Sequence, residues 1–416
     1  MKLKLPAEVN FIIKKLNDQS FEAYIVGGCV RDILLLKEPK DWDICTNALP
    51  QMVTDIFKSF CKVIPTGAKH GTVTLLLNKK HFEVTTYRID GAYSDFRRPD
   101  SISFTSSIEE DLSRRDFTIN AMAYNPSKGL IDPHGGQRDL SKKVINCVGD
   151  PEHRLFEDYL RALRAVRFSC QLEFEISPAT SASIKRHNDL IIHISKERIR
   201  EEFIKILLST VPEKGVKIFI EYGLLFYIIP ELIYVAESPL FLKSLKALGY
   251  SPADLITRLA IILYPVRHAN KKPANALKYL RFDNDTAVSV SNILDCAMAL
   301  PSLSMKAVKK FMTKAGIQNL DMLFDLLTAN AKAADDNSEE LLYIENLKDK
   351  CSGIIKEKEP LTLKDLDIDG NDIKALGVVE GKKIGKLLNT LLDIVLDEPK
   401  LNDKEILKNI LKDKFI

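Results

Sequence analysis

The chain has 416 residues, 45% of them apolar and 28% charged, with a formal charge of +3; this is ordinary globular composition, with material for two to four structural units. The slight basic excess permits a nucleic-acid partner without requiring one, and the most apolar runs, such as residues 224–230, are far too short to cross a bilayer, so no membrane partner is expected. Seven cysteines at 29, 45, 61, 147, 170, 296 and 351 form no CxxC pair, and the histidines show neither HExxH spacing nor a His-Asp dipeptide. These patterns argue against a disulfide framework, a zinc cage and the common metal-hydrolase motifs, and they favour a reducing, cytoplasmic location. The N-terminal MKLKLPAEVNFIIKKL reads as an amphipathic helix rather than a signal peptide.

Residues 21–26 then read as a strand that ends at Gly27-Gly28, and 30–36 as a helix. Residues 41–45 look like a second strand, and 71–77 and 82–87 like two more. Val73, Leu75 and Leu77 alternate with Thr72, Thr74 and Leu76, as a sheet with one buried face requires. The polar stretch 89–103, with Gly91, Asp95, Arg97, Arg98, Pro99 and Asp100, predicts a flexible loop beside an active site. From about residue 153 the pattern becomes helical. Leu160, Leu163, Val166 and Arg167 follow helical spacing, and Ser195 is placed to cap a helix over 196–208. Beyond 210, prolines at 212, 230, 252, 273 and 301 punctuate amphipathic segments with no strand pattern.

The chemistry centres on Lys40-Asp41-Trp42-Asp43-Ile44. On a strand, residues i and i+2 share a face, so Asp41 and Asp43 are expected to point together while Trp42 and Ile44 enter the core. Two hard carboxylates suit Mg²⁺ bound jointly with phosphates, and paired metals can activate a 3′ hydroxyl and stabilise departing pyrophosphate. A DxD alone is weak evidence, since two exposed acids at a strand end look the same. Thirteen residues upstream, however, Gly27-Gly28-Cys29-Val30-Arg31-Asp32 offers a turn that backbone and ligand can share, with Arg31 as a charged fork for phosphate. Glu83 could supply a third carboxylate from a neighbouring strand or serve as an ordinary ion-paired strand residue.

With these segments in view, the sequence resembles the class II tRNA nucleotidyltransferases and the bacterial poly(A) polymerases that share their catalytic core. The ordered segments are YIVGGCVRD (24–32), DWDI (41–44), GAKHGTVT (67–74), RRDFTINAMAYN (114–125), DPHGGQRDL (132–140), FEDYLRALRAVRF (156–168) and ERIREEF (197–203). The resemblance covers roughly the first 210 residues. It implies an α+β fold: a polymerase-β-like head with a mixed sheet over 1–145, then an all-helical neck (146–210), body (211–300) and tail (301–416), the last two binding RNA. It implies metal ligation by Asp41 and Asp43, contacts to the incoming nucleotide from Gly28, Arg31 and Arg115, and a nucleotide pocket formed by Asp158, Arg161, Arg164 and Arg167. The implied substrates are CTP, ATP and the 3′ end of tRNA. The chain could act as a monomer or a homodimer.

The pocket can also be argued from the residues. Asp158 and Arg161 are i and i+3, so on one helix they share a face. Cytosine and adenine both present an amino donor beside a ring-nitrogen acceptor, which an Asp–Arg pair can match. Uracil and guanine present the reverse. A bidentate match is worth about 1–3 kcal/mol of discrimination. In isolation the same residues would read as a surface ion pair with solvated arginines. Arg115 is placed to reach sugar or phosphate, and Asp116 to orient an arginine. Asp132, Gly135, Gly136, Asp139 and His70 read as structural. Full CCA addition competes with A-only or CC-only addition. A poly(A) polymerase is disfavoured because no RRF-type basic element follows the catalytic strand, and a silent RNA-binding protein because both aspartates are present.

Overall fold

The computed structural model describes residues 3–93, 99–334, 338–378 and 380–414. Asp95, Arg97 and Arg98 of the predicted loop lie outside the described residues. The chain divides into two compact units, residues 1–228 and 229–416.

The first unit opens with helix α1 (Ala7–Asp18), followed by strand β1 (Ala23–Val26), α2 (Gly28–Leu34), β2 (Asp43–Thr46), α3 (Pro50–Phe57), β3 (Lys62–Ile64), β4 (Thr72–Leu77) and β5 (Lys80–Thr86). After these come β6 (Arg88–Asp90), β7 (Ile102–Phe104), α4 (Ile108–Ser113), β8 (Ala123–Asn125) and β9 (Gly129–Ile131). Seven strands form one sheet in the order β3-β4-β5-β2-β1-β8-β9. Only the β2–β5 pair is parallel, so the sheet is mixed. α1 buries Val9, Ile12, Ile13 and Leu16, the spacing that puts one apolar stripe on a helix, and each such side chain removed from water contributes about 1.5–3 kcal/mol. A cluster including Tyr24, Cys45, Tyr87, Leu112 and Val148 ties β1, β2 and α4 to the chain that follows.

The segment predicted as a loop over 89–103 is a two-stranded ribbon at its ends: Arg88 pairs with Phe104 and Asp90 with Ile102. Strands of three residues leave no measurable alternation, so the ribbon carries no signal in the sequence.

The remainder of the unit is α5 (Gly136–Ser141), β10 (Val144–Ile145), α6 (Pro151–Glu157), α7 (Leu160–Leu172), β11 (Glu175–Ile176), α8 (Pro178–Arg186), α9 (Lys196–Leu207), α10 (Pro212–Glu221) and α11 (Leu225–Ile228). The neck is therefore helical except for β11, which pairs in parallel with β10. Ser195 sits at the N-cap position of α9, but its side chain caps nothing.

The second unit is helical throughout its described residues. Its helices are α12 (Pro239–Tyr250), α13 (Leu255–His268), α14 (Pro273–Tyr279), α15 (Asn284–Ala297), α16 (Met305–Ala315), α17 (Leu320–Lys332), α18 (Ser338–Lys356), α19 (Gly370–Ala375), α20 (Gly381–Asp397) and α21 (Lys404–Lys414). Pro212 and Pro273 occupy the first positions of α10 and α14, where a missing N–H costs nothing. None of the described helices is long and apolar enough to cross a membrane.

Candidate active site

The two aspartates arrive by different routes. β2 begins at Asp43, and Asp41 lies in the bend just before it. The expectation that both sit on one strand is corrected accordingly. Trp42 is likewise only half-buried, in a groove with Leu5, Pro6, Ile33 and Leu36, whereas Ile44 is fully buried as expected.

Glu83 is the direct register partner of Asp43 across the parallel β2–β5 pair, which puts the two side chains on one face of the sheet. Burial pushes the Asp43 carboxyl above its usual range, and the charges of Glu83 and Asp41 push the same way, against Arg115. Among the described residues, no three His, Cys, Asp or Glu side chains close into a metal cage.

The turn before α2 uses its two glycines unequally. Gly27 has φ +78°, and a Cβ there would stand 3.2 Å from an Arg115 guanidinium nitrogen. Gly28 starts the helix. Arg31 follows within α2, held by Asp32 at 2.7 Å and donating to the Asn120 side-chain oxygen at 2.7 Å. The Asn120 amide donates to Asp116 at 3.1 Å, and Arg164 donates twice to the same carboxylate, at 2.8 and 2.5 Å. A continuous polar chain thus runs from α2 to α7. Burial opposes ionisation of Asp116, but Arg164 and these donors hold its pKa down at about 2. The expectation that Asp116 orients an arginine fits this geometry.

Arg115 is anchored by Asp111, which is fully buried and accepts from Arg114 as well. Burial works against the Asp111 charge, and the two guanidiniums outweigh it, so its pKa is lowered.

Besides β11, the neck departs from the helical expectation at Asp158. Asp158 is not on the helix with Arg161. It lies between α6 and α7 with extended backbone, φ −152° and ψ 103°. Its carboxylate accepts from the Leu160 N–H at 3.1 Å and from both terminal nitrogens of Arg198, at 3.2 and 2.6 Å. Arg161 pairs instead with Glu157 and donates to the Arg154 carbonyl at 2.9 Å. Asp158 and Arg161 still face one cavity, but as members of two separate ion pairs. Arg167 pairs with Glu202 at 2.9 Å. Phe168 underlies the group, with the guanidiniums of Arg31, Arg164 and Arg167 at 5.2, 5.5 and 4.2 Å from its ring centroid, within cation–π range.

The cavity so formed has a volume of about 620 Å³ and is lined by eight arginines and four aspartates. Gly28, Arg31, Arg115, Asp158, Arg161, Arg164, Arg167 and Asp43 all reach it, while Asp41 and Glu83 do not. A smaller cavity of about 210 Å³ brings Glu83, Asp43 and Arg115 together. A net positive, largely polar cavity of this size suits a polyanion such as a nucleoside triphosphate.

Arg198, Glu202, Glu157, Phe168 and Asn120 were not singled out from sequence. Arg198 and Glu202 are four apart, and Phe168 is four beyond Arg164, so helical spacing from a known site residue was the available signal. Asp132 and Asp139, which were expected to be structural, bond at the turn that precedes and opens α5, whereas among the described residues only the backbone of His70 is engaged. Asp132 accepts from the Gly136 and Gln137 N–H groups, Asp139 from the Thr118 hydroxyl, and the His70 carbonyl from Arg88.

Three family models cover most of the chain: the poly(A) polymerase head domain over residues 23–146, the "Probable RNA and SrmB- binding site of polymerase A" over 173–235, and tRNA nucleotidyltransferase domain 2 over 254–411. The CCA-adding enzyme of Lactobacillus gasseri is 34% identical over 396 residues, 93% of this chain and 92% of that protein. That of Anoxybacillus flavithermus is 35% identical over 404 residues, 95% and 94% of the two chains. The crystal structure of the Bacillus stearothermophilus CCA-adding enzyme in complex with CTP superposes with a TM-score of 0.79 at 29% identity, covering 99% of this chain and 98% of that one. The Thermotoga maritima CCA-adding enzyme, complexed with tRNA(CCA), shares the fold at a TM-score of 0.66 and 22% identity, over 98% and 96% of the chains. With relatives above 30% identity along nearly the whole length, and a site built as the motifs require, the chain belongs to the class II tRNA nucleotidyltransferases, in the family of CCA-adding enzymes.

Proposed function

We propose that this chain adds C and A to the 3′ end of tRNA from CTP and ATP without a nucleic-acid template, and that Asp41 and Asp43 carry the metal that the reaction uses. The observation that carries the reading is Asp43, which stands both in the arginine-lined cavity and beside Glu83. Burial first, and then the charges of Glu83 and Asp41 against Arg115, raise its pKa; the acidic neighbours are what a cation at this place would offset. Mg²⁺ suits the donor set, because it is bound through one or two carboxylates together with substrate phosphates; when bound, it polarises those phosphates and stabilises the pyrophosphate that leaves. Glu83 is placed to raise the local negative charge and support the same ion.

The chain's own residues do the rest. Arg31 and Arg115, each fixed by a carboxylate, present guanidiniums to the triphosphate. The 3′ hydroxyl oxygen of the acceptor bonds to the α-phosphorus as the α–β phosphoanhydride bond breaks, pyrophosphate leaves with that bond's electron pair, and the hydroxyl proton passes to water. Asp158 accepts from the amino group of cytosine or adenine, and Arg161 donates to the ring nitrogen. Their partners Arg198 and Glu157 preset both side chains, so selection does not depend on a shared helical face. Arg164 and Arg167, tied to Asp116 and Glu202, complete the pocket wall. We take residues 1–145 as the catalytic head, 146–210 as the neck, and 211–300 and 301–416 as RNA-binding body and tail. The seven free cysteines suit a cytoplasmic setting.

The test uses tRNAs lacking CCA, lacking CA or lacking only A, supplied with CTP, ATP or both, with products resolved to one nucleotide. Stepwise extension to CCA supports the proposal. Extension only of the CC-ending tRNA assigns A addition, arrest after two cytidines assigns CC addition, and long adenylate tracts assign poly(A) synthesis.

A further inference from the structure

Three guanidiniums converge on Phe168. Those of Arg31, Arg164 and Arg167 lie 5.2, 5.5 and 4.2 Å from the centroid of its ring. Arg31 comes from α2 and the other two from α7, so the ring is a point that two separate elements share. The fully buried ring of Phe117 meets it edge-on, with the centroids 5.8 Å apart and the planes at 84°. Arg31, Arg167 and Phe168 line the arginine-rich cavity and also a second one, of about 560 Å³, that reaches Asp41 and Thr210. The ring therefore stands in a wall common to both.

Each of these arginines has its own carboxylate, and that partner holds the donors rather than the face. Arg31 donates from Nε to Asp32 at 2.9 Å and from Nη1 to Asn120 at 2.7 Å, with Nη2 also 2.7 Å from Asp32. Arg164 donates from Nε and Nη2 to Asp116. The Arg167 Nε lies 2.9 Å from Glu202 but out of line for a hydrogen bond. The donors of a guanidinium lie in its plane, so the carboxylates fix its rim and leave its flat face to be covered. Three like charges at one place also repel. Burial is the first cause that holds the Arg167 pKa below the usual arginine range; Glu202 opposes it, and Arg164 and Arg31 add to the lowering. The negative face of an aromatic ring offsets such repulsion, whereas an aliphatic side chain would pack against Phe117 without doing so.

We propose that Phe168 is a positioning residue for nucleotide binding: its ring holds Arg31 of α2 and Arg164 and Arg167 of α7 in fixed relation, so that the group facing the triphosphate and the groups walling the pocket meet one nucleotide together. This rests on the assignment of the cavity to a nucleoside triphosphate given above. Phe168 acts through the arginines and not on the reacting atoms.

The test replaces Phe168 in the full-length chain by leucine (Phe168→Leu) and, site-specifically, by mono-, di- and trifluorinated phenylalanine, which keep the shape of the ring while draining its negative face. Equilibrium binding of CTP and ATP is measured together with kcat and KM for their incorporation into tRNA. Phe168→Leu is expected to raise both dissociation constants about ten-fold, within the range of a desolvated cation–π contact. The fluorinated rings are expected to raise them in order of fluorine number. KM follows the dissociation constant while kcat stays within about two-fold, as for a contact made equally in the ground and transition states. The fluorinated chains should keep the thermal midpoint of the wild type, so the series decides even where Phe168→Leu fails to fold. Dissociation constants that stay level across the fluorine series, or that a folded Phe168→Leu leaves unchanged, overturn the proposal, because packing alone then accounts for the residue. A wild-type chain that binds CTP and ATP but incorporates neither overturns the enzymatic reading, and the binding series still decides on Phe168. A wild-type chain that binds neither nucleotide overturns both.

Discussion

Asp116 carries a full negative charge in a nearly buried position, and its recorded partners are donors: Arg164, the Asn120 amide and the Phe117 N–H. A carboxyl held at about 2 in the folded chain, against an ordinary 3.8, adds stability that is complete above about pH 4 and is lost as pH falls toward 2. The shift corresponds to about 2 kcal/mol. Asp116→Asn is therefore expected to lower the free energy of urea unfolding by about that much at pH 7 and by about half as much at pH 3. A penalty independent of pH would show that the ion pair with Arg164 is not its source. Asp43 behaves in the opposite sense. Its pKa is raised by burial and by Glu83, so its ionised form destabilises the metal-free fold above the usual carboxylate range, and the strain is relieved as it protonates. Asp43→Asn should abolish nucleotide incorporation yet raise the metal-free thermal midpoint at pH 7, with the gain shrinking as pH falls into the carboxylate range. A lower midpoint at pH 7 would mean that Asp43 has a structural role of its own.

Whether the sequence could reveal an element depended on its length. α7 and α9 are long enough to repeat their pattern, and both were legible, as were β4 and β5. The breaks next to functional residues were not. Asp41 sits two residues before β2 and Asp158 between two helices, and both lie where local periodicity stops carrying information. Identities nonetheless remained readable where geometry did not: the cavity collects Asp158, Arg161, Arg164 and Arg167 although the assumed continuous helix is broken. Packing between helices was invisible for the same reason, and Gly215 illustrates it. It lies inside α10, where propensity alone favours alanine by about 1 kcal/mol. A Cβ at that position would stand 2.4 Å from a methyl of Ile206 on α9 and 2.9 Å from the Cys170 sulfur on α7. Both neighbours are fully buried, so steric cost outweighs propensity. Gly215→Ala should lose about 1–3 kcal/mol and raise the KM for CTP, because α7 carries three of the pocket arginines. Gly385→Ala, inside α20 with nothing within 4 Å of the new methyl, should gain about 0.5–1 kcal/mol. Chemical denaturation of the two variants tests the contrast, and a common sign for both would refute it.

At the scale of the molecule, both cavities belong to one unit. All residues lining them fall between Gly27 and Thr210, inside the compact unit that ends at residue 228. That unit contains the seven-stranded sheet and the helices α1 to α11, and at 228 residues it is large enough to bury its own core. The sequence reading placed the site in the first 210 residues, which agrees with this division. The resemblance also implied boundaries at 145, 210 and 300, a finer division than these two units. The division has a consequence for ligand binding. A fragment of residues 1–228 should unfold cooperatively and retain the nucleotide pocket complete. CTP at about 100 times its Kd stabilises the state that binds it by about 2.7 kcal/mol, so it should raise the thermal midpoint of the fragment, and of the full chain, by several degrees. Asp158→Ala in the same fragment removes the group assigned to the base amino hydrogens and should reduce the shift for CTP and ATP while bringing it closer to that for UTP and GTP. Calorimetry of the fragment with each of the four nucleotides separates the possibilities. A broad, non-cooperative transition would show that residues 229–416 are needed for folding. A sharp transition with no CTP shift would show that they are needed to form the pocket, and would place part of nucleotide selection outside the unit that holds the aspartates.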